Sequence, residues 1–565
     1  MSTVESFGGE LFLGRFRPDL LTPPPGPVHD VDSEAFLTRL RDFCTDKVDS
    51  ALIEREARIP DEVIAGLKDV GAFAIKLPKE YGGLGLPGTC YLRALMIVNT
   101  THSALGELLA AHQAIGLTQP VLLFGTAEQK REFLPRCVRE ISAFTLTEPD
   151  IGNDPFRMRT TATPNPDGSY TLNGLKSWVT NGVLADLIVV LALVPEAGMT
   201  AFVVEARSPG VTVEHRSEFL GLRGLENGVV RLHDVAVPAN HRIGPEGKGL
   251  EVALAAQDTG RLSLPAVSSA AAKWSLKIAR EWSRVRVQWN KPIGEHEAVA
   301  AKISFMAATA FALEAMVEVT GRQTDAGANT HMEAELAKLF ASEKTWRIAD
   351  DLLQIRGGRG YETAESAAAR GERGVPVEQL LRDVRIGRIF DGSTEALRGF
   401  IAQEALALEP APSTVNPDYD FGPLTPHLRF VERTSRSVAQ HLAHGQTRWH
   451  TELEDRQLFL GRLVDITAEL YAMSVSCAHA KTHTEEAAVE LADTFCHQAR
   501  LRIAELFGRL WSNTDDHDRA VAQHVLADRY TWLEEGILDP SIEGPWIADP
   551  APGPSQHENQ HRRVA

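Results

Sequence analysis

Glycines crowd one short stretch, Gln354-Ile355-Arg356-Gly357-Gly358-Arg359-Gly360-Tyr361. Residues without a Cβ let backbone N–H groups approach a phosphate closely. Further on, Arg382-Asp383 precedes Arg388-Ile389-Phe390-Asp391-Gly392-Ser393-Thr394-Glu395, which sets a carboxylate, Asp391, between an aromatic residue and a glycine. Upstream, Arg286-Val287-Gln288-Trp289 offers a guanidinium, whose planar fork suits pyrophosphate. Two hydroxyl-bearing segments come earlier still: Thr145-Leu146-Thr147-Glu148-Pro149-Asp150-Ile151-Gly152-Asn153-Asp154 and Trp178-Val179-Thr180-Asn181-Gly182. Taken singly, each has a plain structural explanation. An arginine on a helix is a solvated charge, and a threonine at a strand end only ends a strand.

Other patterns carry less. Gly83-Leu84-Gly85-Leu86-Pro87-Gly88 fits G-x-G-x-x-G, but the helical segment Tyr91 to Gln113 that follows leads to no parallel strand, so a dinucleotide fingerprint is rejected. His479 and His483 sit one helical turn apart near Cys477 without further ligands at short range, and no metal is expected. Walker, H-E-x-x-H and nucleophile-elbow patterns are missing. A net charge of −18 argues against a nucleic-acid surface, which needs a basic footprint. Five cysteines without a C-x-x-C pair suit a reducing cytoplasm, the expected location. No signal-peptide pattern is read at the N-terminus, and apolar runs such as Leu187 to Val194 are far short of the roughly 20 residues a bilayer requires, so no transmembrane segment is expected.

The texture changes along the chain in blocks. Residues 1–30, with Pro23-Pro24-Pro25, read as an extended arm. Helical periodicity, capped at Asp32 or Ser33 and carried by Phe36, Leu40, Phe43 and Val48, covers 31–140. Short β-rich runs with turn signals such as Pro164-Asn165-Pro166-Asp167-Gly168 fill 141–244, which predicts an antiparallel sheet or small barrel. Helices return over 245–407. A Pro-rich linker at 408–426 leads to further amphipathic helices at 427–540 and a polar tail at 541–565 expected to be disordered.

With these segments in this order, the sequence resembles the acyl-CoA dehydrogenases over about residues 5–405. The C-terminal helices and strings such as Ala111-His112-Gln113-Ala114-Ile115-Gly116 resemble the very-long-chain branch. The resemblance implies a mainly α fold: an N-terminal helical bundle, a middle β-barrel, a C-terminal four-helix bundle and an extra helical domain. It implies FAD, held through Leu146, Thr147, Asn153, Trp178, Thr180, Ser393 and Glu395. Arg286, Gln288, Trp289, Gln354 and Gly358 would reach the FAD of a second subunit in a homodimer. Asn153, Asp258, Arg261, Phe390 and Gly392 would contact an acyl-CoA or carrier-bound acyl thioester. Asp391 stands where the family's base is Glu, and Gly260 cannot replace it from the helix on which some members carry theirs. An electron-transfer flavoprotein is the implied electron acceptor.

The expected reaction is α,β-desaturation of an acyl thioester of medium to long chain, as in fatty-acid β-oxidation. Asp in place of Glu keeps two alternatives open. One is divergent chemistry, as in the nitroalkane oxidases or a carrier-bound acyl desaturase. The other is a catalytically weak FAD-binding module.

Overall fold

The structure is a computed structural model that describes residues 6–21, 31–409 and 419–548, with the backbone alone at 258–259. Among these residues the N-terminal segment departs from the predicted extended arm. Phe7–Phe12 forms a helix capped by Ser6, and Pro18–Leu21 a 3₁₀ turn. Phe7, Leu11, Phe12, Phe16 and Leu21 are buried, and Gly8 N donates to the Glu333 carboxylate at 2.9 Å. The proline run suggested extension; the apolar spacing around it decides the structure.

Seven helices follow before the sheet, from Val31–Lys47 to Ala127–Phe133. The first begins at Val31, so Asp32 and Ser33 lie inside its first turn rather than capping it. Thr126 and Gln129 close a reciprocal capping box at the last, each side chain bonding the other's backbone N–H. The Ser103–Ala110 helix runs into a π turn at Ala111–Ile115. There the buried His112 accepts from Ser142 N at Nδ1 and donates from Nε2 to Cys137 O at 2.9 Å. Burial holds its pKa down to about 4, so the ring is neutral and serves as a joint between helix and sheet.

The middle block is one eight-stranded sheet. Its strand order is Val211–Arg216, Gly228–Val237, Tyr170–Val179, Thr161–Pro164, Leu187–Val194, Gly198–Glu205 and Arg242–Ile243. Most pairings are antiparallel, as expected. The exceptions meet at Leu187–Val194, which pairs in parallel with Ser142–Thr145 and, through one residue, with Thr161–Pro164. Leu187–Val194 is buried along nearly its whole length, and strands covered on both faces read as continuous apolar runs.

The C-terminal block packs Ser263–Val285, Glu297–Asp325, His331–Arg356 and Thr394–Leu406 together. Three long helices then follow, Thr425–Trp449, Gln457–Ala480 and Glu486–Trp511. Gln457–Ala480 is buried from Phe459 almost to its end and packs on three helices of the preceding block, so both share one apolar core. By length and composition Glu297–Asp325 could cross a bilayer, which the sequence reading missed; 72% of its most apolar window is buried in this bundle. The expected linker lies partly, and the expected disordered tail mostly, outside the described residues. Residues 541–548 run exposed without regular structure.

Candidate active site

Asp391 sits in a tight turn before the Thr394–Leu406 helix, which Ser393 caps by accepting from Ala396 N. Asp391 and Gly392 both have left-handed backbones, at φ +50° and +86°. Gly adopts this freely and Asp more readily than most residues. The Lys338 ammonium holds the turn from both sides, donating to Phe390 O at 3.0 Å and Gly392 O at 2.5 Å. Burial brings the Lys338 pKa down to about 8 against the opposing pull of Asp391, so it is mostly charged at neutral pH. The Asp391 carboxyl opens to the cleft, yet protein crowds its other sides. That crowding raises its pKa, while Lys338 and Arg261 pull it back.

Arg261, at the end of the Gly249–Gly260 helix, pairs with the buried Glu335 beside His331, whose Nε2 lies 2.8 Å from Glu404. The arginine is thereby held near Asp391, one of the charges acting on it. A Cβ at Gly260 would stand 2.8 Å from Ala114 Cβ, so the packing as well as the residue type excludes a carboxylate there. The Asp258 side chain lies outside the described ones.

The sheet supplies a second wall. Ser177 N donates to Thr147 O at 3.0 Å and Lys176 Nζ to Leu146 O at 3.2 Å, drawing the two threonine-bearing segments together. Beneath them the buried Glu148 accepts from Lys176 Nζ at 3.0 Å, Thr160 N at 3.0 Å and Arg159 N at 2.8 Å. Trp178 has φ +51°, rare for a bulky residue, and is 58% exposed. Thr180 Oγ1 accepts from Asn227 Nδ2 at 3.2 Å, and its own hydrogen has no acceptor among the described residues. Asn153 Nδ2 lies 3.5 Å from Ser393 Oγ, linking this wall to the Asp391 turn, and Glu395 is exposed in the first turn of the helix. A strained, uncovered indole near a hydroxyl whose hydrogen is still available suits a flat heteroaromatic ring, so the residues fit a flavin.

The remaining predicted residues lie elsewhere. Gln354 follows Lys338 on the same helix by roughly four and a half turns, on the order of 24 Å at 1.5 Å per residue. The Trp282 indole ties this end to the neighbouring helix by donating to Ile355 O at 3.1 Å, and the Arg356 guanidinium stacks 4.8 Å over its ring. Nearby, Val287–Gln288 and Lys291–Pro292 form a hairpin whose turn residues, Trp289 and Asn290, both have positive φ. Arg286, Gln354 and Gly358 are exposed, Gln288 partly so, and Trp289 is 84% exposed.

Arg382-Asp383 has a structural part. Arg382 pairs with Glu54 and Glu378, and the buried Asp383 accepts from Leu222 N at 2.7 Å, locking a loop of the sheet block onto the helices. Sequence reasoning also passed over a carboxyl. Glu107 lines a cavity together with Phe390 and lies close enough to Asp391 for the two charges to interact. Its signal was one acidic residue in the apolar run Ala104-Leu105-Gly106-Glu107-Leu108-Leu109.

Comparison with known proteins agrees with this arrangement. Family models match in chain order: acyl-CoA dehydrogenase N-terminal domain at residues 30–140, middle domain at 143–235 and C-terminal domain at 247–406. The probable acyl-CoA dehydrogenase FadE10 of Mycobacterium tuberculosis is 53% identical, covering 99% of this chain and 94% of that one. The mitochondrial very long-chain specific acyl-CoA dehydrogenase of Macaca fascicularis is 31% identical over 91% of this chain and 85% of its own length. Among solved structures, an acyl-CoA dehydrogenase complexed with FAD from Bacillus anthracis superposes with a TM-score of 0.77 at 25% identity, covering 89% of this chain and 91% of that one. With all three domain models matched and a relative similar over nearly its full length, the chain belongs to the acyl-CoA dehydrogenase family.

Proposed function

We propose that this protein is an FAD-dependent acyl-CoA dehydrogenase with Asp391 as its base. The observation that carries this reading is the clamped turn: a carboxylate held at φ +50° by Lys338, in a turn tied through Ser393 to Asn153 of the segment that also carries Thr147. Bound FAD supplies the two-electron acceptor. The chain's residues supply the rest. Asp391 removes the Cα proton of the thioester, and its backbone N–H donates to the thioester carbonyl, which makes that proton more acidic. Lys338 and Arg261 favour the ionised Asp391. Trp178 would cover a bound flavin ring and exclude water from it, and Thr180, whose hydroxyl hydrogen has no acceptor among the described residues, would donate to the flavin. An electron-transfer flavoprotein takes the electrons onward.

The functional unit is a homodimer. Arg286, Gln288, Trp289, Gln354 and Gly358 cluster too far from Asp391 to serve the same cofactor end, and Trp289 stands uncovered. They fit the distal part of a second subunit's FAD. Anaerobic titration of the FAD-loaded protein with acyl-CoA thioesters tests the reading, with bleaching of oxidised flavin expected. Bleaching by nitroalkanes alone would move the chemistry to the divergent alternative, and FAD binding without bleaching by any substrate would leave a binding module.

A further inference from the structure

Glu107 is a carboxyl without an obvious employer. It projects from the Ser103–Ala110 helix into a cavity of about 30 Å³, room for little more than a water or two. Leu264, Val267 and Phe390 give the cavity apolar patches; Asn99, Ser103 and Ser268 are among its polar lining. The Glu107 carboxyl makes no hydrogen bond or ion pair among the described residues. Enclosed carboxylates elsewhere in this chain are bonded: Glu148 to Lys176, Glu469 to Lys344 and Arg502, Glu333 to Gly8 N. An enclosed polar group without a partner is costly, and a hydrocarbon laid against it would strip its remaining water with no return.

We propose that Glu107 is a specificity-determining residue, and that the acyl group it selects is short and carries a hydrogen-bonding substituent, a hydroxyl or an amine, toward its distal end. Phe390, which precedes the base in its turn, and Glu107 both line the cavity, so a substituent on the acyl chain that enters it meets the Glu107 carboxyl. Glu107 does not compete with Asp391 as base. Burial, with the Asp391 charge as a second cause, pushes its pKa up to about 8, so near neutral pH it is mostly protonated. A protonated carboxyl both donates and accepts, which suits a hydroxyl; an ammonium would draw the proton off and pair with the carboxylate.

This inference rests on the dehydrogenase reading. The experiment uses the full-length FAD-loaded protein and compares pentanoyl-CoA, its ω-hydroxy and ω-amino derivatives, and palmitoyl-CoA. Flavin reduction is followed anaerobically, and calorimetry measures binding of the corresponding enoyl products. A kcat/KM preference of about 10–100-fold for a substituted chain over plain pentanoyl-CoA is expected in the wild type. Glu107→Gln keeps the hydroxyl preference and loses any amine preference. Glu107→Leu abolishes both and speeds plain pentanoyl-CoA, with FAD content unchanged. Equal or faster turnover of the plain chains by wild type, or an unchanged ratio in Glu107→Leu, overturns the assignment of Glu107 alone. Should none of the thioesters bleach the flavin, the dehydrogenase reading falls and this inference with it.

Discussion

The two ends of the proposed cofactor site differ in how far one chain completes them. At the Asp391 end every element is braced from within. Lys338 holds two carbonyls, Glu148 and Lys176 brace the threonine segments, and Glu335 holds Arg261. At the Arg286 end the supports are also internal, as the Trp282 indole shows, but Arg286, Trp289, Gln354 and Gly358 are exposed to solvent. Chemistry that depends on sub-ångström placement sits where a single chain fixes the geometry, while affinity for a long cofactor can be shared between chains. The two ends should therefore respond differently to mutation.

The largest effect is expected at Asp391. Asp391→Asn keeps the shape and removes the proton acceptor, and a positioned base contributes on the order of 10²–10⁴-fold. Stopped-flow reduction of FAD by acyl-CoA should slow by about that factor with cofactor content unchanged. Undiminished reduction would take Asp391 out of the mechanism.

Lys176→Met tests the bracing of the sheet wall. It leaves Glu148 buried without its cation, and breaking such a pair costs roughly 3–5 kcal/mol. Denaturant unfolding should show that loss, and FAD binding should weaken with it because Thr147 follows the Leu146 carbonyl that Lys176 holds. An unchanged midpoint would mean that Glu148 gains a proton at little cost.

At the other end Arg286→Ala should leave stability alone, since the residue is exposed and ends its helix. FAD affinity should fall about 10–100-fold, the equivalent of a charge-assisted contact of roughly 1.5–3 kcal/mol. Sedimentation should give a dimer for the wild type. A monomer that binds FAD tightly would erase the contrast between the two ends.

Much of this is legible in the sequence. The helix–sheet–helix order shows because apolar spacing changes from a helical period to short runs at Ile141 and back near Gly247, and the Thr126–Gln129 capping box is local chemistry. Other features depend on what packs against what. Phe7, Leu11 and Phe16 look unremarkable beside a proline run until the Gln457–Ala480 helix lies beside them. The parallel pairing of Ser142–Thr145 with Leu187–Val194 has no local mark. Glu107 is the sharpest case, because one acid on an apolar helix reads as a solvated position. Only the residues brought together around it, Phe390 among them, make it a cavity residue within reach of the Asp391 charge.

The smallest expected effect concerns pH and sharpens the role of Lys338. Asp391 must be ionised to accept a proton, and its pKa is raised by crowding and lowered by Lys338 and Arg261. Flavin reduction should therefore fall as pH falls through that raised pKa. Lys338→Gln keeps a donor for the carbonyls of Phe390 and Gly392 but removes the cation. The charged form of Asp391 then loses support, so its pKa rises and the acid limb of the profile moves to higher pH. At a pH well above both limbs the variant should approach wild-type reduction, because the turn is still held. A role that is purely structural would lower the rate at all pH values and leave the limb in place. A shift to lower pH would contradict the electrostatic assignment, since removal of a neighbouring positive charge cannot stabilise a carboxylate.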